Sequence, residues 1–175
     1  GAGGRWRWEA DAAGVPQARF TVWARNPDAA RACAEATGAT PTTDLAEAVG
    51  QADIIATTTM ATDPLIKGEW LRPGTHLDLI GAYRPDMREA DTDCFRRARI
   101  FCDSRATTMH DIGDLKVPLE EGAITEADVI ADYYDIGKGL FARLSDDEIT
   151  ISENGGGAHL DLMTARYILD IARGA

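Results

Sequence analysis

The chain has 175 residues, of which 45% are hydrophobic and 27% charged, a balance typical of a globular protein with a sizeable core. Its 18 Lys and Arg residues stand against 29 Asp and Glu residues, and the net charge of −11 argues against a nucleic-acid partner, because phosphate binding needs a cationic face. No apolar run approaches the roughly 20 residues needed to cross a bilayer, and Cys33, Cys94 and Cys102 form no Cys-x-x-Cys pair. We therefore expect a cytoplasmic protein with reduced thiols and no membrane partner.

The first predicted elements follow a glycine-rich opening. Gly1 and Gly3 have the spacing of a phosphate-binding turn, and residues 20–23 form a β-branched and aromatic run that predicts a strand. The Asn-Pro pair that begins residues 26–38 predicts a capped helix, which ends at a glycine. Asp44 predicts the cap of a second helix.

Three apolar runs without polar alternation follow, at residues 53–59, 76–81 and 99–103. Such runs are typical of strands that are covered on both faces. Gly, Pro and helical segments separate them, which indicates parallel pairing in a doubly wound α/β sheet.

The C-terminal part of the chain predicts three more elements. Residues 125–128 resemble a capping box and predict a helix through Tyr134. Residues 147–152 predict a further strand, and the apolar spacing over residues 160–171 predicts a final helix.

The spacing between the opening glycines and the strand at 20–23 matches a dinucleotide-binding fingerprint, although Trp6 stands at the third glycine position. After that strand, Ala24-Arg25-Asn26 stands where an NAD site usually has an acidic residue for the ribose. An arginine there suits the 2′-phosphate of NADP, and the alternative is a surface arginine near a helix start.

Ligands bind at the carboxyl ends of the strands in open α/β sheets. The strand at 53–59 ends in Thr57-Thr58-Thr59-Met60, and the next strand ends at Gly81. We predict that these residues line the nicotinamide side of the cofactor site.

Several segments resemble the ornithine cyclodeaminase and μ-crystallin family. They are residues 53–76, Gly-Ala-Tyr-Arg-Pro-Asp-Met-Arg-Glu at 81–89, Asp-Ser at 103–104, Gly-Asp-Leu at 113–115 and Glu-Ile-Thr at 148–150, in the family's order. The resemblance runs from about Phe20 to the C-terminus, and before that only the Gly-x-Gly matches.

The resemblance implies an α/β fold, a Rossmann-like doubly wound parallel sheet that lacks its first strand here. Residues 1–140 are expected to form a partial NAD(P)-binding domain. Residues 141–175 are expected to return to a dimerisation and substrate domain, whose N-terminal half precedes the glycine turn in family members.

The resemblance also bears on the reaction, because two positions depart from the cyclodeaminases. Tyr83 stands where those enzymes have an acid/base aspartate, and Met87 stands where they have a lysine. Neither side chain replaces a carboxylate as a base near pH 7. Arg84-Pro85-Asp86 is similar to μ-crystallin, and Arg25 matches that protein's 2′-phosphate residue.

Near the C-terminus the family has a Ser-x-Gly segment followed by an aspartate close to the nicotinamide. In this chain Asn154 stands at the position of the serine, and Asp161 matches the aspartate. The glycine run between them is either a flexible cap or a ligand contact. We predict Asp161, Tyr83 and His159 as catalytic residues. His76 is expected in the core, and His110 lacks the partners that a metal site needs.

We therefore expect an enzyme that reduces a small cyclic imine or ketimine carboxylate. NADP(H) is the preferred cofactor and NAD(H) the alternative, and the predicted cofactor residues are Gly1, Gly3, Ala24, Arg25, Asn26, Thr57, Thr58, Thr59, Met60, Gly81 and Asn154. Two alternatives are an NAD-dependent ornithine cyclodeaminase and a non-catalytic NADPH or small-ligand binding protein. The resemblance implies a homodimer when the N-terminal half is present, and no activity without that half.

Overall fold

A computed structural model describes residues 19–173 of the chain, with the side chains of residues 158–160 excepted. The chain divides between Ala52 and Asp53 into two compact units. Each unit contains parallel strands and helices, and each is described separately below. Within the described residues, no helix is long and apolar enough to span a membrane.

Residues 19–52, the described part of the first unit, contain two parallel strands and two helices. Asn26 caps the first helix by accepting a hydrogen bond from the Asp28 amide at 2.9 Å, and the helix ends at Gly38, whose φ of +71° is left-handed. Asp44 caps the second helix through the Glu47 amide at 2.9 Å. These caps confirm both predicted helices. The elements are β1 (Thr21–Trp23), α1 (Pro27–Thr37), β2 (Thr40–Thr42) and α2 (Leu45–Gln51).

The second unit is a five-stranded parallel sheet with the order β3-β4-β7-β5-β6. Its strands are β3 (Ile54–Thr57), β4 (His76–Leu79), β5 (Ala98–Cys102), β6 (Val129–Ala131) and β7 (Ile149–Glu153). Its helices are α3 (Thr92–Arg97), α4 (Arg105–Thr108), α5 (Gly113–Glu120) and α6 (Ala158–Arg173). Short 3-10 turns cover Gly68–Trp70, Glu126–Asp128 and Tyr133–Lys138. The α/β class and the Rossmann-like parallel sheet are thereby confirmed.

The strand predicted at 147–152 is β7, and it lies in the middle of the sheet. Leu79 of β4 pairs with Glu153 on one side, and Cys102 of β5 pairs with the same residue on the other. The domain boundary at residue 140 stays a prediction. In the structure β7, which follows that boundary in the chain, is hydrogen-bonded between β4 and β5.

The helix predicted from the capping box at 125–128 through Tyr134 is wrong. The Thr125 amide does donate to the Asp128 carboxylate at 2.7 Å, but the helical turn ends at Asp128. Val129 then begins β6, which pairs with Ile100 of β5. Cross-strand pairing of β-branched residues outweighs a local helix signal here.

The core of the second unit lies on the sheet. Leu77, Leu79, Ile100 and Ile151 are fully buried and alternate along three neighbouring strands. Met87, the residue at the family's lysine position, is also buried and packs with Ala82 and Ile112 away from solvent.

Candidate functional site

The carboxyl ends of β3, β4 and β7 lie side by side and form one edge of the sheet, which we call the carboxyl edge. Thr57 ends β3, the segment after Leu79 follows β4, and Asn154 follows β7. The Ile80 amide donates to Thr57 O at 3.1 Å, and the Asn154 amide donates to Leu79 O at 2.9 Å. These bonds extend the parallel pairing beyond the strands. The structure therefore brings together the predicted residues that follow all three strands.

Tyr83 and Met60 meet at the carboxyl edge. The Tyr83 hydroxyl contacts the Met60 sulfur at 4.0 Å, and both side chains are more than half exposed. Arg84 forms a two-bond ion pair with Asp86 at 3.0 Å and lies over the Tyr83 ring. Thr58 is exposed, whereas Thr57 is buried and Thr59 is half-buried. Side chains from two loops are therefore available to a ligand at this edge.

Gly81 is packed so closely that no larger residue fits. A Cβ atom there would lie within 3.0 Å of the Thr59 backbone and of the Glu89 carboxylate, nearer than real Cβ atoms approach. The glycine thus lets the turn after β4 press against the turn after β3.

The acceptor between these two turns is the carboxylate of Glu89, which is fully buried. Its Oε1 accepts from the amide and hydroxyl of Thr59 at 2.5 and 2.7 Å. Its Oε2 accepts from the Thr57 hydroxyl at 2.6 Å and from the Gly81 amide at 2.7 Å. The hydroxyl protons of Thr57 and Thr59 are therefore directed at Glu89. Any contact of these two threonines with a ligand is made by their other atoms.

Two further buried carboxyl groups lie near Glu89. Asp114 accepts from the amides of Glu89 and Ala90 at 2.9 and 3.0 Å, and burial raises its pKa to about 7, with the charge of Glu89 adding to the rise. Glu153 is fully buried, and neither of its carboxyl oxygens has a hydrogen-bond partner in the part of the chain that the structure describes. Burial, followed by the charges of Asp114 and Glu89, raises the pKa of Glu153 well above its usual range.

The loop after β7 is an ordered turn. Asn154 accepts from the Gly156 amide at 3.1 Å, and Gly156 has a left-handed φ of +87°. A Cβ on Gly155 would come within 2.9 Å of Thr108 and Ile112. Asp161 lies exposed in the first turn of α6. The helix also contains His159, whose side chain lies outside the described part of the structure.

In the first unit, Ala24, Arg25 and Asn26 follow β1 directly. Arg25 is exposed, and within residues 19–173 its guanidinium makes no hydrogen bond or ion pair. Asn26 is engaged in capping α1. The predicted glycines Gly1 and Gly3 lie outside the described residues.

His76, His110 and the three cysteines have structural partners or structural surroundings. His76 contacts the Thr150 hydroxyl at 2.7 Å through Nδ1, and burial lowers its pKa, with Arg143 adding to the effect. His110 pairs with Glu126 at 3.3 Å on the surface. The three cysteines are free, and no group of three or more metal-ligating side chains occurs among the described residues.

Sequence reasoning assigned no role to Glu89, Asp114 or Glu153. The signal was present, because the resemblance already included the Met-Arg-Glu and Gly-Asp-Leu segments. A charged residue inside an otherwise apolar segment is a sign of a buried, paired group. The pairing itself depends on contacts 25 to 32 residues apart in the chain.

Known proteins resemble this chain in sequence. It is 50% identical over 162 residues to the Delta(1)-pyrroline-2-carboxylate reductase of Paracoccus denitrificans, covering 89% of this chain and 51% of that protein. It is 36% identical over 124 residues to the ketimine reductase mu-crystallin of Mus musculus, covering 71% of this chain and 37% of that protein. The chain thus spans about half the length, or less, of these relatives.

The fold has solved counterparts. The Thermococcus litoralis Delta(1)-pyrroline-2-carboxylate reductase, determined in complex with NADH and L-proline, matches with a TM-score of 0.79 and 29% identity, covering 89% of this chain and 51% of that one. The model of the ornithine cyclodeaminase/mu-crystallin family matches residues 1–175. This chain therefore belongs to the ornithine cyclodeaminase/mu-crystallin family.

Proposed function

We propose that the protein reduces a small cyclic imine or ketimine carboxylate with a hydride from NADPH. The observation that carries the proposal is the carboxyl edge, where Tyr83 contacts Met60 and Gly81 packs closely against the Thr59 backbone. The resemblance assigns Tyr83 to the position of the cyclodeaminase aspartate. The 50% identity to a pyrroline-2-carboxylate reductase supports the same reaction class.

The carboxyl edge fits a bound dinucleotide. Open α/β sheets bind ligands where their strands end, and at this edge the turns contain Gly81 and Gly156 and leave Thr58 and Met60 exposed. When bound, the dinucleotide supplies the hydride that reduces the imine carbon. Thr58, Met60 and Asn154 are proposed to bind its nicotinamide end.

The remaining groups act on the substrate. Tyr83 is 55% exposed, so its hydroxyl is available to donate a hydrogen bond to the imine nitrogen. That nitrogen takes a proton as the carbon takes the hydride. Asp161, exposed in the first turn of α6, and His159 remain the other proposed proton donors. Their contributions are separable by substitution.

The first experiment combines binding with turnover, and it uses the protein with the N-terminal half that the resemblance implies. NADPH fluorescence is titrated with the purified protein, and oxidation is then followed at pH 7 with pyrroline-2-carboxylate and with piperideine-2-carboxylate. We expect binding and consumption of NADPH with at least one of the two imines. Binding without oxidation supports a ligand-binding protein instead, and release of ammonia from ornithine supports the cyclodeaminase.

The preference for NADPH is proposed to depend on Arg25. Its exposed guanidinium has no partner among residues 19–173, and an arginine after this strand suits a 2′-phosphate, whereas an acidic residue suits the 2′-hydroxyl of NAD. We expect Arg25→Asp to weaken NADPH binding by about tenfold or more while NADH binding is unchanged or tighter.

Arg31→Ala is the matched control for this experiment. Arg31 is another exposed arginine of the first unit, but it is paired with Asp28 in the first turn of α1. The control is expected to leave the ratio of NADPH to NADH dissociation constants unchanged. An unchanged ratio in Arg25→Asp as well contradicts the assignment of Arg25.

We also propose that the protein is cytoplasmic and forms a homodimer. The support for the homodimer is the apolar surface of α6, where Leu162, Met163, Tyr167, Ile168 and Ile171 are all more than half exposed. An apolar patch of this kind is typical of an interaction surface. Sedimentation or light scattering of the purified protein measures the assembly directly, and a monomer at micromolar concentration contradicts it.

A further inference from the structure

The carboxylate of Glu89 connects the turns after two neighbouring strands. It accepts four hydrogen bonds, two on each oxygen, and the donors come from Thr57 at the end of β3, from Thr59 after it and from Gly81 after β4. Hydrogen bonds to a carboxylate are stronger than those between neutral groups. One side chain therefore determines how the two turns lie against each other.

Glu89 is itself held in place from its own backbone. Its amide donates to the Asp114 carboxylate at 2.9 Å, and its carbonyl oxygen accepts from the amides of Leu65 and Ile66, both at 2.9 Å. Both the backbone and the side chain of Glu89 are therefore held by hydrogen bonds. The carboxylate is thus a fixed point against which the carboxyl edge is built.

We propose that Glu89 is a positioning residue that holds the carboxyl edge in the shape that receives the nicotinamide end of the dinucleotide. This inference rests on the proposed function. Glu89 is fully buried, so its carboxylate has no surface that a cofactor or substrate could contact. It acts on Met60 through the turn after β3, and on Tyr83 through Gly81, which stands two residues before Tyr83 in the chain.

The alternative is that Glu89 only stabilises the fold. The two roles differ in what a substitution changes. A purely structural loss lowers the fraction of folded molecules and raises the measured dissociation constant only by the reciprocal of that fraction, so it leaves a variant that is fully folded with an unchanged constant. A positioning loss raises the dissociation constant itself.

Glu89→Gln tests the positioning role with little change in shape. An amide replaces one carboxylate oxygen by an NH₂ group, which cannot accept a hydrogen bond. Whichever way the amide turns, a backbone N–H faces that NH₂ group, either the one of Thr59 or the one of Gly81. The two turns then separate, because a buried donor is left without an acceptor.

The matched control is Glu121→Gln. Glu121 also accepts a hydrogen bond from a threonine, Thr92, at 2.7 Å, but it is exposed and lies away from the carboxyl edge. Both variants are compared with the unsubstituted protein by NADPH fluorescence titration. Hydrogen exchange of peptides that cover residues 57–61 and 79–83 is measured without any nucleotide.

We expect Glu89→Gln to raise the NADPH dissociation constant about tenfold or more and to speed exchange of the Thr59 and Gly81 amides by a similar factor. The control is expected to change neither. A folded Glu89→Gln variant with an unchanged dissociation constant overturns the inference, even if the unsubstituted protein binds NADPH. An unsubstituted protein that binds no dinucleotide overturns the proposed function and the inference together.

If Glu89→Gln does not fold, Thr59→Val decides the matter. It removes one hydroxyl donor at 2.7 Å and keeps the backbone amide that also donates to Glu89. We expect the NADPH dissociation constant to rise a few-fold, with faster exchange of the Thr59 amide. Unchanged binding and unchanged exchange in this variant contradict the positioning role.

Discussion

Gly81→Ala is the smallest change that disturbs the carboxyl edge. The added Cβ would lie within 3.0 Å of the Thr59 backbone nitrogen and oxygen and of the Glu89 carboxylate. Two of these three neighbours are backbone atoms, which cannot rotate aside as a flexible side chain does. The turn after β3 must therefore move away from the turn after β4.

The size of the effect follows from these distances. Non-bonded atoms are at their best separation at roughly 3.5–4.0 Å, so the Thr59 peptide has to retreat by about 1 Å or more. A shift of that size breaks or weakens the bonds that Gly81 and Thr59 make to Glu89 at 2.7 and 2.5 Å. Overpacking costs about 1–3 kcal/mol, and each lost bond to a charged group about 1.5–3 kcal/mol. We expect a total destabilisation of about 2–5 kcal/mol.

Thermal unfolding of Gly81→Ala measures this loss. For a domain of this size, 1 kcal/mol lowers the Tm by about 2–4 °C, so a decrease of roughly 4–20 °C is expected. Gly137→Ala is the control, because a Cβ at Gly137 meets no atom within 4 Å and its φ is not left-handed. A Tm for Gly81→Ala equal to that of the control refutes the close packing on which the carboxyl edge is built.

Two further predictions concern the buried ionisable groups. Because the pKa of Asp114 is raised to about 7, the folded state holds a proton that the unfolded state loses above about pH 4. The free energy of unfolding therefore falls as the pH rises from about 4 to about 7. In Asp114→Asn the share of this fall that Asp114 causes is expected to disappear, which the Tm measured from pH 5 to pH 8 tests. Among the thiols, the half-buried Cys33 is expected to react first with iodoacetamide at pH 8, because Cys94 and Cys102 are buried and their pKa values are raised, that of Cys102 to about 12. Intact mass spectrometry counts the modified thiols, and equal reaction rates at all three contradict the described burial.

The carboxyl edge was predictable from sequence because it depends on a rule of chain topology. Parallel strands joined by helices place their carboxyl ends at one side, so Thr57–Met60 after one strand and Gly81 after the next were expected together. Asn154 was predicted from the family resemblance instead. Caps such as Asn26 were predictable for a similar reason, since they act within one turn.

The features that were missed depend on distant contacts. The capping box at 125–128 predicts a helix, and only pairing with β5 converts the following residues to a strand. The strand predicted over 53–59 ends at Thr57, because Thr59 donates to Glu89 instead of continuing the ladder. Local patterns contain no information about a partner 30 residues away.

The three buried carboxyl groups at the carboxyl edge form one system. Taking a charged carboxylate out of water is costly unless it is hydrogen-bonded, and the available donors are limited. Asp114 and Glu153 reduce this cost by holding protons, as their raised pKa values indicate, which leaves the four donors of the two turns to Glu89. When Asp114 loses its proton above about pH 7, a second negative charge appears beside Glu89. The stability of the fold therefore depends on the proton of Asp114, the residue that also accepts a hydrogen bond from the Glu89 amide.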